Sequence, residues 1–267
     1  MDALSNHDLT LLSHADLDIA DRDAVRTAIA KARPEVVLHP AAWTDTAGCE
    51  RDPDRAMLVN GEAPGFIAAA CREVGAAMVH VSTNEVFDGE KGSAYDESDA
   101  TNPINAYGRS KLAGELAVAA ALPGHYIVRT SWLYGPGRRN SFPEKILIRA
   151  VEGDTLQGVT DEIATPTWTI DLAGAIARLV ETHQYGTYHL VNEGQCSRKE
   201  WAEEVVRLYN IDVSVAEATQ ADFNLPFRKP VLSTLANNRG AALGIRLRPW
   251  REALADHVAD VNAGTAA

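Results

Sequence analysis

Short apolar runs that alternate with helical stretches constrain this chain more than any other feature. Residues 8–13, 35–39, 76–82 and 125–130 read as strands. Between the first two, Val25, Ile29 and Ala32 recur at helical spacing behind Asp21, a natural N-cap. Residues 52–74 predict two helical segments broken near Pro64, and 106–122 predict a long alanine-rich helix. Strands separated by helices imply right-handed β-α-β units and a parallel sheet. Ligands of such sheets bind beyond the carboxyl ends of the strands. The residues there are Ser13-His14, Pro40-Ala41-Ala42, Ser82-Thr83 and Thr130-Ser131-Trp132, all small or polar turns apart from the Trp.

The later part predicts helices over 142–151, 170–182, 197–209 and 250–261, a strand over 186–191 and a polar loop over 216–233. Ser197 with Glu200 three residues on is a capping-box pattern. No repeat or low-complexity linker separates the two parts, so a second lobe would pack tightly on the first. At 267 residues and 46% hydrophobic, the chain can bury one large α/β core, or a core and a small lobe.

The formal charge of -12 argues against a nucleic-acid binder, which needs a basic face to neutralise phosphates. Cys49, Cys71 and Cys196 are scattered and show neither metal spacing nor a disulfide framework, so they read as small buried apolar residues. With no signal peptide and no apolar run of about 18 residues, the expectation is a cytoplasmic protein with no membrane partner. A homodimer is compatible with the sequence, which sets no oligomeric state.

Chemistry concentrates on Tyr107 and Lys111. Four apart on a helix, they share one face. The ammonium favours the phenolate and lowers the Tyr pKa towards the working pH. Ser82-Thr83, at the end of an apolar strand, can hold a carbonyl against that phenol. Together these residues make a proton-donating site for carbonyl and alcohol chemistry. His39 and His80 fall at strand positions and read as buried and hydrogen-bonded. Asp96, Glu97 and Asp99 read as a solvated loop.

Longer runs carry a family likeness. They are Arg33-Pro-Glu-Val-Val-Leu-His-Pro-Ala-Ala42, Ser82-Thr-Asn-Glu-Val-Phe-Asp-Gly89 and Asn105-Ala-Tyr-Gly-Arg-Ser-Lys-Leu-Ala-Gly-Glu115. Arg129-Thr-Ser-Trp-Leu-Tyr134, Ala164-Thr-Pro-Thr-Trp168, Gly186-Thr-Tyr-His-Leu-Val191 and Arg228-Lys-Pro230 follow in order. With these runs the chain resembles the extended short-chain dehydrogenase/reductases and, among them, the dTDP-4-dehydrorhamnose reductases. The resemblance implies an α/β fold: a Rossmann-like parallel sheet lacking its first strand-helix unit, with a small carboxyl-terminal α+β substrate lobe. Residues 1–140 and 166–192 would form the dinucleotide-binding part, and 141–165 and 193–267 the lobe.

It also implies hydride transfer from NADPH or NADH to the 4-keto carbon of a dTDP-4-keto-6-deoxyhexose, giving dTDP-L-rhamnose. Tyr107 would then be the proton donor, Lys111 its activator and a hold on the nicotinamide ribose, and Thr83 a hydrogen-bond partner of the reacting oxygen. Asp18, Ile19, Ala41, Ala42, Asn60 and Ser82 match cofactor positions. Asn84, Glu85, Trp132, Asn140, Thr165, Pro166 and Arg228 match positions facing the nucleotide-sugar substrate. Ser13-His14 stands where an acidic residue would select NADH, so the expectation leans to NADPH or dual use.

The chain departs from the pattern twice. The family opens on a glycine-rich turn that binds the pyrophosphate, and the sequence starts beyond it. Two readings follow, an amino-terminal truncation, which is favoured, and a variant with impaired cofactor binding. The second departure is Asn84-Glu85 where the reductases carry Asp-Tyr. Glu85 leans towards the nucleotide-sugar 4,6-dehydratases, whereas Asn84 cannot move a proton as a carboxyl does. A regulatory or binding subunit and a dehydratase or epimerase are therefore the alternatives to a reductase.

Overall fold

The computed structural model describes residues 7–137 and 141–264. Its centre is a four-stranded parallel sheet in the order Val36–His39, Ala77–Thr83, His125–Thr130, Gly186–His189. Ala77–Thr83 and His125–Thr130 are near-continuous apolar runs, as a sheet covered on both faces requires. One face, with Met78 of the sheet itself, packs on Val25, Ile29, Ile67, Cys71 and Val118 from the helices Arg22–Ala32, Ala63–Val74 and Ala106–Ala121. The other packs on Leu172, Ala175, Ile176 and Leu179 of the helix Thr169–Glu181.

Most elements form where local pattern places them. Asp21 caps Arg22–Ala32 by accepting from Asp23 N and Ala24 N, both at 3.0 Å. Ser197 and Glu200 close their capping box on Arg198–Leu208. Trp250–Asn262 ends the described chain as a helix.

Three elements differ from the expectation. Residues 8–13 form no strand, and Leu9, Leu11 and Leu12 are exposed. A strand needs a neighbour for its backbone groups, and among the described residues none pairs with this run; Val36–His39 pairs directly with Ala77–Thr83. Residues 53–74 run on through Pro64, which sits in the first turn of Ala63–Val74. The irregularity lies just before it, in a π-helical segment, Met57–Glu62. Within the expected loop 216–233, Val215–Ala218 pairs in parallel with Leu156–Val159. These two strands, Phe142–Val151 and Arg198–Leu208 enclose a second apolar cluster around Trp201, Leu156 and Val205. No helix of the described residues is long and apolar enough to cross a membrane.

Candidate active site

The helix Ala106–Ala121 begins at the carboxyl end of the central strands, and three contacts fix its first turn. Asn105 caps it, Oδ1 accepting from Gly108 N at 2.8 Å. Glu50 accepts from Ala106 N at 2.8 Å and lies 3.6 Å from Arg109. Gly108 lies so close to the strand-end turn that a Cβ there would sit 2.2 Å from the Glu85 carbonyl oxygen. Tyr107 is thereby held half-buried against Cys49, Ala56 and Ala106.

One turn on, Lys111 is 1% exposed and donates to the Val81 carbonyl at 2.8 Å. Burial lowers its pKa to about 8, against a smaller upward pull from Glu115. A buried ammonium beside Tyr107's helical turn is the arrangement that stabilises a phenolate.

The neighbouring hydroxyls differ in use. Ser82 Oγ donates to Glu115 Oε1 at 2.5 Å, and Glu115 holds Arg129 through Nε at 2.9 Å and Nη2 at 2.7 Å. Ser82, assigned from the family pattern to the cofactor, is engaged in this buried ion pair. Thr83 caps the 3-10 turn Asn84–Val86, its Oγ1 accepting from Glu85 N at 3.2 Å. Asn84 is buried and donates to Ser233 Oγ at 2.7 Å, so it anchors the strand end to the later part of the chain. Glu85 accepts from Asn105 Nδ2 at 2.7 Å. Burial raises its pKa and Glu162 adds to that, while Lys229, Asn105 and Arg198 oppose it.

Asn60 lies in the π-helical segment, a distortion frequent at functional sites. Its Oδ1 accepts from Trp43 N at 2.8 Å, and its Nδ2 donates to Trp43 O at 3.0 Å and Ser110 Oγ at 3.1 Å. Ser110 in turn donates to the Tyr107 carbonyl at 2.8 Å. Asn60 thus clamps the turn after Val36–His39 to the helix of Tyr107. His39 and His80 are buried as expected, their rings stacked 5.5 Å apart. His80 lacks the expected hydrogen bond, since neither of its ring nitrogens has a partner among the described residues, and His39 Nε2 lacks one too. Burial, reinforced by Lys111, lowers the pKa of His39 to about 3 and that of His80 well below its usual value.

The remaining expected positions separate into two groups. Pro40-Ala41 is exposed and Ala42 half-buried, just past the strand end. Asp18 accepts from Ala20 N at 3.0 Å in the turn before Arg22–Ala32, and Ile19 packs into the adjoining core. On the other side, Trp132 is half-buried with a left-handed backbone, φ 45°. Thr165 and Pro166 are buried, and the Thr165 hydroxyl donates to Gly194 O at 2.6 Å. Arg228 is exposed, and its carbonyl accepts from Asn105 Nδ2 at 3.1 Å. Asn140 lies outside the described residues. The acidic cluster is not simply solvated: Glu97 accepts from His189 N and Arg239 N, and Asp99 pairs with Lys91.

Sequence reasoning missed Asn105, Glu50 and the Lys229-Glu162-Arg198 cluster. Asn105 carried a signal, since an Asn just before a helical run is a cap. Glu50 and Glu162 carried none, because each meets its partners only across the fold.

A family model for the RmlD substrate binding domain matches residues 2–263. The chain belongs to this family. Among its relatives, a dTDP-4-dehydrorhamnose reductase of Streptomyces griseus is 42% identical over 256 residues, spanning 93% of this chain and 84% of the relative. Among solved structures, a dTDP-4-dehydrorhamnose reductase of Clostridium acetobutylicum is similar with a TM-score of 0.93 and 37% identity, covering 98% of this chain and 94% of that one. One from Bacillus anthracis, solved in complex with NADP, is similar with a TM-score of 0.92 and 33% identity over 95% of this chain and 90% of that one. The agreement extends to the parallel sheet and its flanking helices, so the fold is the Rossmann-like one of these structures.

The residues present fit a nicotinamide cofactor at its ribose end. Lys111 is a buried cation, and its bond to the Val81 carbonyl uses one of the three donors of an ammonium. Ala41-Ala42 permits close approach at the adjacent strand end. The described residues contain no glycine-rich strand-to-helix turn for a pyrophosphate.

Proposed function

We propose that this chain uses NADPH or NADH to reduce the 4-keto group of a dTDP-4-keto-6-deoxyhexose, dTDP-4-dehydrorhamnose to dTDP-L-rhamnose. The observation that carries this reading is the Tyr107/Lys111 pair at the carboxyl end of the sheet, with Lys111 buried and charged. A nicotinamide, when bound, supplies the hydride. Tyr107 gives its proton to the oxygen that becomes the 4-hydroxyl, and Lys111 stabilises the phenolate left behind. Thr83 hydrogen-bonds the same oxygen. Lys111 also holds the nicotinamide ribose, with Ala41, Ala42, Asp18 and Ile19 along the cofactor's path. Asn60 and Ser82 act by holding the frame. Glu85 and Trp132 face the substrate, Arg228 offers an exposed cation to its phosphates, and Asn84, Thr165 and Pro166 shape the wall behind them.

The kinship with the NADP complex of the Bacillus anthracis reductase supports NADPH as the first cofactor to try. The division into a dinucleotide-binding part and a substrate lobe belongs to this proposal. It is supported by the separate apolar clusters around the sheet and around Trp201.

The test is turnover of dTDP-4-dehydrorhamnose by the purified chain, followed by loss of reduced-nicotinamide absorbance. Tyr107→Phe should abolish turnover with an unchanged circular-dichroism spectrum. Full activity in that variant would remove Tyr107 from its role. No substrate-dependent oxidation of either cofactor by the parent chain would overturn the activity itself.

A further inference from the structure

Beyond the proton-donating residues, the structure carries a charged cluster with no part in proton transfer. Arg198 opens the helix Arg198–Leu208, and its guanidinium lies 3.6 Å from the centroid of the Trp132 ring. Its Nε and Nη2 donate to Glu162 Oε1 at 3.1 and 2.9 Å. Lys229 Nζ donates to both Glu162 oxygens, at 3.3 and 3.2 Å. Burial would raise the Glu162 pKa, but the two cations outweigh it and hold the carboxyl ionised below its usual range. One buried carboxylate is thus saturated by two cations, and its cost is recovered only because both are in place.

Trp132 needs such a support. A bulky residue with positive φ is strained unless its surroundings over-determine it. Its ring stacks on Trp201 at 5.5 Å with planes 5° apart, and Arg198 is 5.5 Å from that same Trp201 ring. If Arg198 and Trp201 covered opposite faces of the indole, two contact separations would put them about 7 Å apart or more. They therefore lie side by side on one face, and neither covers the other.

We propose that Arg198, pinned by Glu162 and Lys229, is a positioning residue that sets the Trp132 indole with its second face turned to the cleft. That face is a stacking platform for a ring of the nucleotide-sugar substrate. Lysine is no substitute at position 198, since an ammonium has no planar face to lie on the indole.

The inference rests on the substrate class proposed above, and two readouts keep the ideas separable. In steady-state kinetics, Arg198→Met should raise KM for the keto-sugar nucleotide about two- to twelvefold, the cost of ordering one released side chain on binding. The kcat and the KM for NADPH should stay within about twofold, the effect being confined to substrate binding. Arg198→Lys should behave like Arg198→Met and serves if the methionine variant folds poorly. In a Trp132→Phe background, Arg198→Met should raise KM no further. Near-ultraviolet circular dichroism should lose the stacked-indole signal in both Arg198 variants, and this holds without any turnover. An unchanged KM, multiplicative effects of the two substitutions, or an intact indole signal would overturn the role of Arg198. A parent chain that does not turn over would count against the proposed activity, and the dichroism would still decide the positioning.

Discussion

Replacing Lys111 by Met should make the protein more stable while removing its activity. The side chain is 1% exposed, so its charge is held in the interior with little help from water. Its pKa falls from 10.5 to about 8. At roughly 1.4 kcal/mol per pH unit, that gap is a cost of about 3 kcal/mol for keeping the ammonium charged at neutral pH. Methionine keeps the length of the stem and removes the charge. It also forfeits the bond to the Val81 carbonyl, worth about 1 kcal/mol. The net expectation is a gain of about 2 kcal/mol at pH 7, or a melting temperature higher by about 4–8 °C.

The sign can be checked by pH. Between about 8 and 10.5 the unfolded chain binds the proton that folded Lys111 has lost, so the parent protein gains stability as pH rises through that window. Urea denaturation of both proteins at pH 7 and pH 10 should therefore show the advantage of the variant shrinking at the higher pH. A methionine variant no more stable than the parent at pH 7 would refute the claim that Lys111 is a charge held against its solvation. A more stable but inactive variant would display the trade of stability for function that a buried catalytic cation embodies.

Further outcomes follow from the same geometry. Activity should fall as pH rises through about 8, where Lys111 loses its proton, and a pH profile of kcat/KM flat to pH 10 would contradict this. Gly108→Ala should cost about 1–3 kcal/mol and most of the activity, because its Cβ would meet the Glu85 carbonyl at 2.2 Å. Gly174→Ala, also helical but with nothing within 4 Å, should instead stabilise by about 0.5–1 kcal/mol, which thermal melts of the two variants would separate. Arg129→Met leaves Glu115 buried without its cation, with only Ser82 still donating to it, and should cost about 3–5 kcal/mol by urea titration.

Where neighbours in sequence decide a structure, the sequence was a good guide. The cap at Asp21, the capping box at Ser197 and the helix carrying Tyr107 and Lys111 are all set within one or two turns of chain. Residues 8–13 failed because an apolar run becomes a strand only against another strand. Val215–Ala218 was missed for the converse reason: it borders a polar, proline-bearing stretch and became a strand when Leu156–Val159 lay beside it. The π-helical segment at Asn60 has no local signature, and its reason is the clamp to Trp43 and Ser110 across the fold.

The sequence by itself determined that Tyr107 and Lys111 share a helical face near a strand ending in Ser82-Thr83, because helical spacing and strand pattern are local properties. Tertiary structure decided what those groups are worth. It buried Lys111, which lowers its pKa. It turned Ser82 to Glu115 and left Thr83 capping the turn at Glu85. It also brought Lys229 to Glu162 across 67 residues, and Arg198 onto Trp132. Burial and charge pairing depend on which distant segments meet, and that is settled only when the sheet and its helices pack.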